Sequence, residues 1–211
     1  MDQKKPLAGR NFGILGDSYS TFRGYIPEGQ ECYYPSANVK DVLQVEDTWW
    51  HQLMVRHGMK LPVNDSYSGA TVCTNTRDSQ PFSSAFTQRA IKSFSADQKL
   101  DYIVVFGGTN DSWLKRTVGQ PKFADWTEED LFQVLPAYCF VLDHITRHNP
   151  HSKVIAVINT DLDPVMHQGM LTAAAHYGVA LVVLENIDKQ CGHPTALGMT
   201  QIANQIEVVL L

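Results

Sequence analysis

Residues 101–108 have the sequence DYIVVFGG, and this short run is the most informative part of the chain. The five consecutive apolar or aromatic residues from Tyr102 to Phe106 are typical of a strand that is buried on both faces. Two successive glycines follow, and they are expected to end the strand. Because parallel sheets are covered by helices on both faces, the run predicts an α/β fold with a parallel sheet.

Similar apolar segments occur on both sides of this strand, and amphipathic stretches separate them. The other predicted strands cover residues 12–15, 61–67, 153–158 and 179–184, and the predicted helices cover residues 45–57, 127–148, 163–177 and 195–211. Thr127 is expected to cap the second helix, and Pro136 to kink or split it. The alternation of strands and helices predicts one domain, residues 1–211, with five strands.

The composition argues against several classes of partner. The 211 residues carry a formal net charge of −5, and the lysines and arginines form no long run. Neither nucleic acid nor an anionic membrane surface is an expected partner, because binding them needs a clustered basic face. No stretch approaches the roughly 18 apolar residues of a membrane span. The first ten residues are polar, which leaves two alternatives open: a cytoplasmic protein, or an exported one whose signal peptide is absent from this chain.

The four cysteines are widely spaced and form no Cys-x-x-Cys pair. A zinc ribbon or a thioredoxin-type site is therefore not expected. The thiols are predicted to be free and partly buried, although a disulfide remains an alternative for an exported protein. We predict neither a metal site nor an organic cofactor, and the sequence does not predict an oligomeric state.

Four polar segments follow predicted strands. They are residues 16–20, 67–71, 107–111 and 185–193. In an open parallel sheet, ligands bind beyond the carboxyl ends of the strands. The four segments are therefore expected to meet at one edge of the sheet and to form the functional site.

Each segment contains a group with a defined chemical use. Ser18 stands at the end of the first strand, and Gly69 can offer an unshielded backbone N–H. The side-chain amide of Asn110 could donate to a developing oxyanion. His193 lies in the loop before the last helix, and histidine is the usual general base near neutral pH. Taken singly, each residue is better explained by a turn, a cap or a structural role, so only their combination is informative.

The order of these segments resembles the SGNH (GDSL-like) hydrolase family over nearly the whole chain. The resemblance rests on Gly16-Asp17-Ser18, Gly69, Gly108-Thr109-Asn110-Asp111 and His193. It implies a three-layer α/β/α sandwich with a five-stranded parallel sheet, close to the flavodoxin-like arrangement. It also implies that Ser18 is the nucleophile and that His193 is the base. The oxyanion hole would consist of the N–H groups of Ser18 and Gly69 and the amide of Asn110.

One position departs from the family pattern. The family usually has an aspartate three residues before the histidine, and this sequence has Gln190 there. A glutamine cannot stabilise an imidazolium by charge. Three groups remain as candidates to orient His193: the carboxylate of Asp188, the carboxylate of Glu185, or a backbone carbonyl oxygen. We take Asp188 as the predicted third catalytic residue.

The resemblance implies hydrolysis of a small carboxylic ester through an acyl-enzyme, and an O-acetyl group on a carbohydrate is the leading substrate. Trp113 lies three residues after Asn110 and could stack on a sugar ring. Asp17 and Tyr19, next to the predicted nucleophile, are further predicted substrate contacts. The long polar and aromatic segment 20–40 is typical of a binding loop or a lid.

Three other functions remain open at this point. A thioesterase or an arylesterase would use the same residues. A catalytically weak carbohydrate-binding protein would explain the missing aspartate. A flavodoxin-like nucleotide or flavin binder is a third alternative, although the loops contain no Gly-x-Gly-x-x-Gly run.

Overall fold

A five-stranded parallel sheet forms the centre of the protein. The computed structural model describes residues 5–74, 82–95 and 99–211, so residues 1–4 of the polar amino-terminal segment lie outside the described residues. The strands are β1 (Asn11–Gly16), β2 (Lys60–Ser66), β3 (Tyr102–Phe106), β4 (Lys153–Ile158) and β5 (Ala180–Val183), in the order β2-β1-β3-β4-β5. This order confirms the predicted flavodoxin-like sheet and places its topological switch between β1 and β3.

Helices cover both faces of the sheet. One face carries α1 (Trp49–His57) and α6 (Ala196–Leu210), and the other carries α2 (Phe86–Phe94), α4 (Val134–His148) and α5 (Pro164–His176). A short helix, α3 (Thr109–Trp113), follows β3 directly, and β6 (Lys189–Gln190) and β7 (His193–Pro194) form a small antiparallel hairpin before α6. None of the helices in the described part of the chain is both long enough and apolar enough to cross a membrane.

The central strand β3 contributes to both hydrophobic cores. Val104 and Phe106 pack with the residues of α1 and α6, whereas Ile103 and Val105 pack with those of α2, α4 and α5. All four side chains are fully buried. The prediction of a strand that is buried on both faces is confirmed, because successive side chains of a strand point to opposite faces.

The predicted helix over residues 127–148 is wrong at its start. The α-helix begins at Val134, and Pro136 lies in its first turn, where a backbone N–H has no intrahelical acceptor. Pro136 therefore neither kinks nor splits the helix. Thr127 closes a turn with Asp130 instead of capping the helix: its N–H donates to the Asp130 carboxylate at 2.7 Å, and its hydroxyl accepts from the Asp130 N–H at 3.3 Å.

Two further boundaries differ from the sequence predictions. The predicted helix over residues 45–57 is a 3₁₀ turn (Val45–Asp47) followed by α1, and the side chain of Thr48 caps α1 by accepting from the His51 N–H. Helix α2 was not predicted, although its buried Phe86, Ala90 and Phe94 repeat every four residues. The four cysteines are free thiols, as expected from their spacing.

Candidate active site

The polar segments at the strand ends meet at the carboxyl edge of the sheet. Ser18 begins a 3₁₀ turn directly after β1, Asn110 lies in α3 after β3, and His193 begins β7. The Oγ atom of Ser18 lies 3.0 Å from Nε2 of His193, although the two residues are 175 positions apart in the chain. This is the geometry in which an imidazole can take a proton from a hydroxyl group.

The turn that presents Ser18 requires close packing. A Cβ atom on Gly16 would lie 2.5 Å from the Ser66 hydroxyl and 2.7 Å from the Ser20 side chain, so only glycine fits there. The carboxylate of Asp17 accepts the N–H of Tyr19 at 3.0 Å and so caps the turn. Local capping and the end of the strand together fix the backbone at Ser18.

A buried arginine of α2, Arg89, supports the same turn. Its guanidinium donates to the carbonyl oxygen of Gly16 at 3.0 Å, to that of Ser84 at 2.7 Å, and to that of Asp65. Burial lowers the pKa of Arg89, and the Asp65 carboxylate, 3.5 Å away, raises it. A buried charge is tolerated when it is paired and hydrogen-bonded, and here it joins α2 to the ends of β1 and β2. Arg89 was not predicted as a site residue from the sequence.

The predicted oxyanion groups lie beside this turn. Nδ2 of Asn110 donates to the carbonyl oxygen of Ala70 at 2.9 Å, which leaves its second hydrogen for a ligand. Gly69, the residue before Ala70, has a φ of +84°, a conformation that favours glycine. Thus Asn110 and the Gly69 turn are held together.

Asp111 strengthens the connection between α3 and the Gly69 turn. Its carboxylate is fully buried and accepts the N–H groups of Val72 at 2.8 Å and Cys73 at 3.1 Å. Burial raises the pKa of Asp111, and these N–H groups lower it. The residue that follows Asn110 therefore ties α3 to the segment that follows Gly69.

The imidazole of His193 is oriented by a backbone carbonyl. Its Nδ1 lies 3.2 Å from the carbonyl oxygen of Cys191. Cys191 and Gly192 form the two-residue turn between β6 and β7, with φ values of +49° and +77°. Donation from Nδ1 leaves Nε2 as the acceptor that faces Ser18. Burial lowers the pKa of His193, the Cys191 carbonyl raises it, and the charge of Lys189 lowers it.

Four aromatic side chains surround this imidazole. The ring of Tyr33 stacks on His193, with the centroids 3.6 Å apart and the ring planes 7° apart. The rings of Tyr19, Tyr34 and Trp113 approach at steeper angles, with centroid distances of 5.5, 6.4 and 5.6 Å. Trp113 keeps 46% of its surface exposed. Its indole is therefore an exposed aromatic surface next to the imidazole.

Comparison with known proteins identifies the family. A sequence model described as GDSL-like Lipase/Acylhydrolase matches residues 10–210. The chain belongs to this family.

Solved structures agree with the assignment to the GDSL-like family. A structure described as a GDSL-like lipase from Bacteroides uniformis is 36% identical, with a TM-score of 0.88 over 96% of each chain. One with the same description from Bacteroides ovatus is 34% identical, with a TM-score of 0.88 over 96% of this chain and 98% of the other. The native aryl esterase of M. smegmatis shares the fold at 15% identity, with a TM-score of 0.65 over 95% of this chain and all of its own. A search of curated proteins found no match.

The predicted third catalytic residue of this GDSL-like protein does not contact the histidine. The carboxylate of Asp188 accepts the hydroxyl of Thr195, whose Oγ1 in turn accepts the Gly198 N–H at 3.1 Å and caps α6. Glu185 is exposed after β5, and its N–H donates to Gln205 at 2.9 Å. We therefore correct the assignment of Asp188. The tight turn of the hairpin brings the carbonyl of residue 191 to the imidazole, and it leaves Asp188 at the start of α6.

This geometry gives a direct test of Asp188. The D188A variant is expected to keep the wild-type kcat on a small ester and to lose about 1 kcal/mol of unfolding free energy, because Thr195 loses a hydrogen-bond partner. Chemical denaturation and steady-state kinetics measure the two effects. The exposed Glu185 offers a matched control, since E185A should change neither. A fall in kcat of about 10⁴-fold in D188A, as for a catalytic aspartate, would contradict the correction.

Two predicted substrate contacts of the GDSL-like site are also corrected. Asp17 and Tyr19 are fully buried and support the site from within. Burial raises the pKa of Asp17 to about 7, the N–H of Tyr19 and the charge of Arg89 lower it, and Asp111 raises it. The hydroxyl of Tyr19 donates to the Gly192 carbonyl at 2.5 Å and so holds the hairpin turn. Of the three predicted contacts, Trp113 alone has substantial exposed surface.

A metal site is also absent from the described part of this GDSL-like protein. Among the described residues, no group of three or more histidine, cysteine, aspartate or glutamate side chains is arranged to hold a metal ion. Two aromatic neighbours of His193 were missed as site residues: Tyr33, which stacks on the imidazole, and Tyr34, which approaches it edge-on. The only sequence signal for them was the aromatic content of segment 20–40.

Proposed function

We propose that the protein is a serine esterase that hydrolyses small carboxylic esters with a Ser18–His193 dyad. The observation that carries the proposal is the 3.0 Å contact between Ser18 Oγ and His193 Nε2, with Nδ1 of the same ring on the Cys191 carbonyl. Membership of the GDSL-like lipase/acylhydrolase family supports the reaction class.

The proposed reaction has two steps. His193 takes the Ser18 proton as Oγ attacks the ester carbonyl carbon, and the protonated histidine then gives this proton to the leaving alcohol. In the second step, His193 takes a proton from water as the water attacks the acyl-enzyme, and it returns this proton to Ser18 Oγ as the acyl–oxygen bond breaks and the acid leaves. The N–H groups of Ser18 and Gly69 and the amide of Asn110 would stabilise the oxyanion in both steps. One such donor is worth about 3–4 kcal/mol of transition-state stabilisation.

The Cys191 carbonyl replaces the usual carboxylate in this proposal. A carbonyl dipole can fix the tautomer and the orientation of the imidazole, which are two functions of the aspartate in a catalytic triad. It carries no net charge, so it stabilises the imidazolium less than a carboxylate does. This agrees with the lowered pKa of His193, which arises mainly from burial.

The proposed substrate is an O-acetyl group on a carbohydrate. Trp113 is half exposed beside His193, and an aromatic face of this kind can stack on a sugar ring. A second candidate, a carbohydrate-binding protein with weak catalysis, is favoured by the position of Asp188 away from the histidine. An arylesterase or a thioesterase would use the same dyad with another leaving group.

The test compares wild type with S18A on p-nitrophenyl acetate, butyrate and octanoate and on acetylated xylo-oligosaccharides. We expect hydrolysis by the wild type, fastest for acetyl esters, and a loss of about 10⁴-fold or more in S18A. Ser20 offers a matched control in the same turn, and S20A should remain active. Absence of Ser18-dependent hydrolysis on every substrate would refute the esterase, and sugar binding without turnover would favour the binding protein.

A further inference from the structure

Tyr33 contacts the imidazole of His193 across a full ring face. The centroid distance of 3.6 Å and the interplanar angle of 7° describe two parallel rings in van der Waals contact. The other three aromatic neighbours approach His193 at angles between 49° and 78°. Tyr33 is therefore the neighbour whose π face is presented to this histidine.

The backbones of Tyr33 and of Ser18, the predicted nucleophile, both hydrogen-bond to the side chain of Thr21. The hydroxyl of Thr21 donates to the carbonyl oxygen of Ser18 at 3.0 Å and accepts the N–H of Tyr33, also at 3.0 Å. One buried side chain thus sets the position of Tyr33 relative to Ser18. The backbone that carries the stacked ring is therefore linked to the turn that presents the serine.

Tyr34, the residue after Tyr33, hydrogen-bonds to the backbone of the residue after His193. The hydroxyl of Tyr34 donates to the Pro194 carbonyl at 2.7 Å, and its ring packs edge-on against Tyr33 at 4.9 Å. Two consecutive residues of segment 20–40 therefore contact the imidazole and the backbone next to it. This arrangement leaves the stacked ring little freedom to move.

The position of the Tyr33 ring is not set by a hydrogen bond of its hydroxyl. Its oxygen is buried and has no hydrogen-bond partner within the described ranges of the chain. The contact with His193 is therefore made by the ring and not by the hydroxyl. A phenylalanine at this position would keep the ring face.

We propose that Tyr33 is a positioning residue for His193 and supplies, through its π face, part of the stabilisation that a carboxylate usually gives to the imidazolium. This rests on the proposed function, in which His193 becomes a cation when it takes the Ser18 proton. A cation over an aromatic face is attracted by the ring quadrupole, most strongly when water is excluded. The stack also restricts rotation of the imidazole, so that Nε2 stays on Ser18.

The experiment compares Y33L with Y33F, since both side chains are apolar and only phenylalanine retains the ring. On p-nitrophenyl acetate, we expect Y33L to lower kcat about tenfold with little change in KM. Y33F should recover most of that loss. Tyr25 offers a matched control: it also lies in segment 20–40, is 48% exposed and packs on Trp50. Y25L should keep the wild-type kcat.

A titration separates stabilisation of the imidazolium from a merely structural role. The pKa of His193 is followed by NMR in an S18A background, where we expect it to be about half a unit lower in Y33L than in Y33F. The titratable or charged groups around the imidazole are Lys189, Cys191, Tyr19, Tyr33 and Tyr34, with Lys189 paired to Asp161. All except residue 33 are the same in the two variants.

The outcomes distinguish this inference from the proposed function. If Y33L and Y33F have the same kcat and the same His193 pKa, the role of the ring is overturned. If this shared kcat is also lower than that of the wild type, the loss is assigned to the hydroxyl of Tyr33. If Y33L does not fold, Y33M fills the same space without a ring and gives the same comparison. Absence of any Ser18-dependent hydrolysis would refute the esterase, and the pKa comparison would still decide whether Tyr33 stabilises the imidazolium.

Discussion

Replacing His193 with alanine is expected to lower kcat for p-nitrophenyl acetate by about 10⁴-fold or more. The hydroxyl of Ser18 is a weak nucleophile at neutral pH unless a base removes its proton. The only base within hydrogen-bond distance of Ser18 Oγ in the described structure is Nε2 of His193, at 3.0 Å. The measurement is steady-state hydrolysis, corrected for the spontaneous reaction of the ester.

His144 provides the matched control for this variant. It is also a buried histidine, but it lies near the carboxyl end of α4, the helix that leads into the start of β4 at the opposite edge of the sheet. H144A should keep its kcat even if it loses stability. If H193A retained more than about one hundredth of the wild-type kcat, base catalysis by this residue would be contradicted.

The pH dependence of the reaction follows from the same residue. Only the neutral imidazole can accept a proton, so kcat/KM should rise with pH through the pKa of His193 in the free protein. Burial lowers this pKa below its ordinary value of 6.5, and activity should therefore persist to more acidic pH than an unperturbed histidine would allow. An acid limb above 6.5 would indicate a carboxylate next to the imidazole and would contradict orientation by the Cys191 carbonyl.

Replacing Asn110 with alanine is expected to lower kcat by about 10²–10³-fold, because the oxyanion would lose a pre-positioned donor. KM should change much less, since the negative charge develops only in the transition state. The variant should also lose about 1–3 kcal/mol of stability, because the buried Ala70 carbonyl loses its donor. Kinetics and chemical denaturation of the same preparation separate the two effects.

Asn149 provides the matched control for Asn110. It is equally buried, and its Nδ2 donates to the carbonyl oxygens of Phe94 at 2.9 Å and Ile145 at 3.0 Å, far along the chain from the site. N149A should lose stability but keep its kcat. If the two variants lost kcat to the same degree, the role of Asn110 would be structural and the oxyanion assignment would fail.

Local sequence patterns predicted the sheet and the place of the site. The run at 101–108 indicated a doubly buried strand, and β3 lies at the centre of the sheet with both faces covered. The motifs around Ser18, Asn110 and His193 follow strand ends, and the fold brings them to one edge. The predicted sheet is confirmed, and the three motifs lie together at its carboxyl edge, because hydrophobic periodicity and the polarity of parallel strands are properties of short segments.

The tertiary structure alone decided how the histidine is oriented and which side chains surround it. With Gln190 at the family's usual aspartate position, Asp188 was the predicted alternative. The left-handed turn at Cys191 and Gly192 instead directs a carbonyl at the imidazole, and the Asp188 carboxylate accepts the hydroxyl of Thr195, the cap of the last helix. The stack of Tyr33 on His193 joins residues 160 positions apart, and no local pattern specifies such a contact. Burial of Asp17 and Tyr19 likewise depends on packing between distant segments. Strand ends are determined by neighbouring residues, whereas the partner of each side-chain atom is determined by how remote segments pack together.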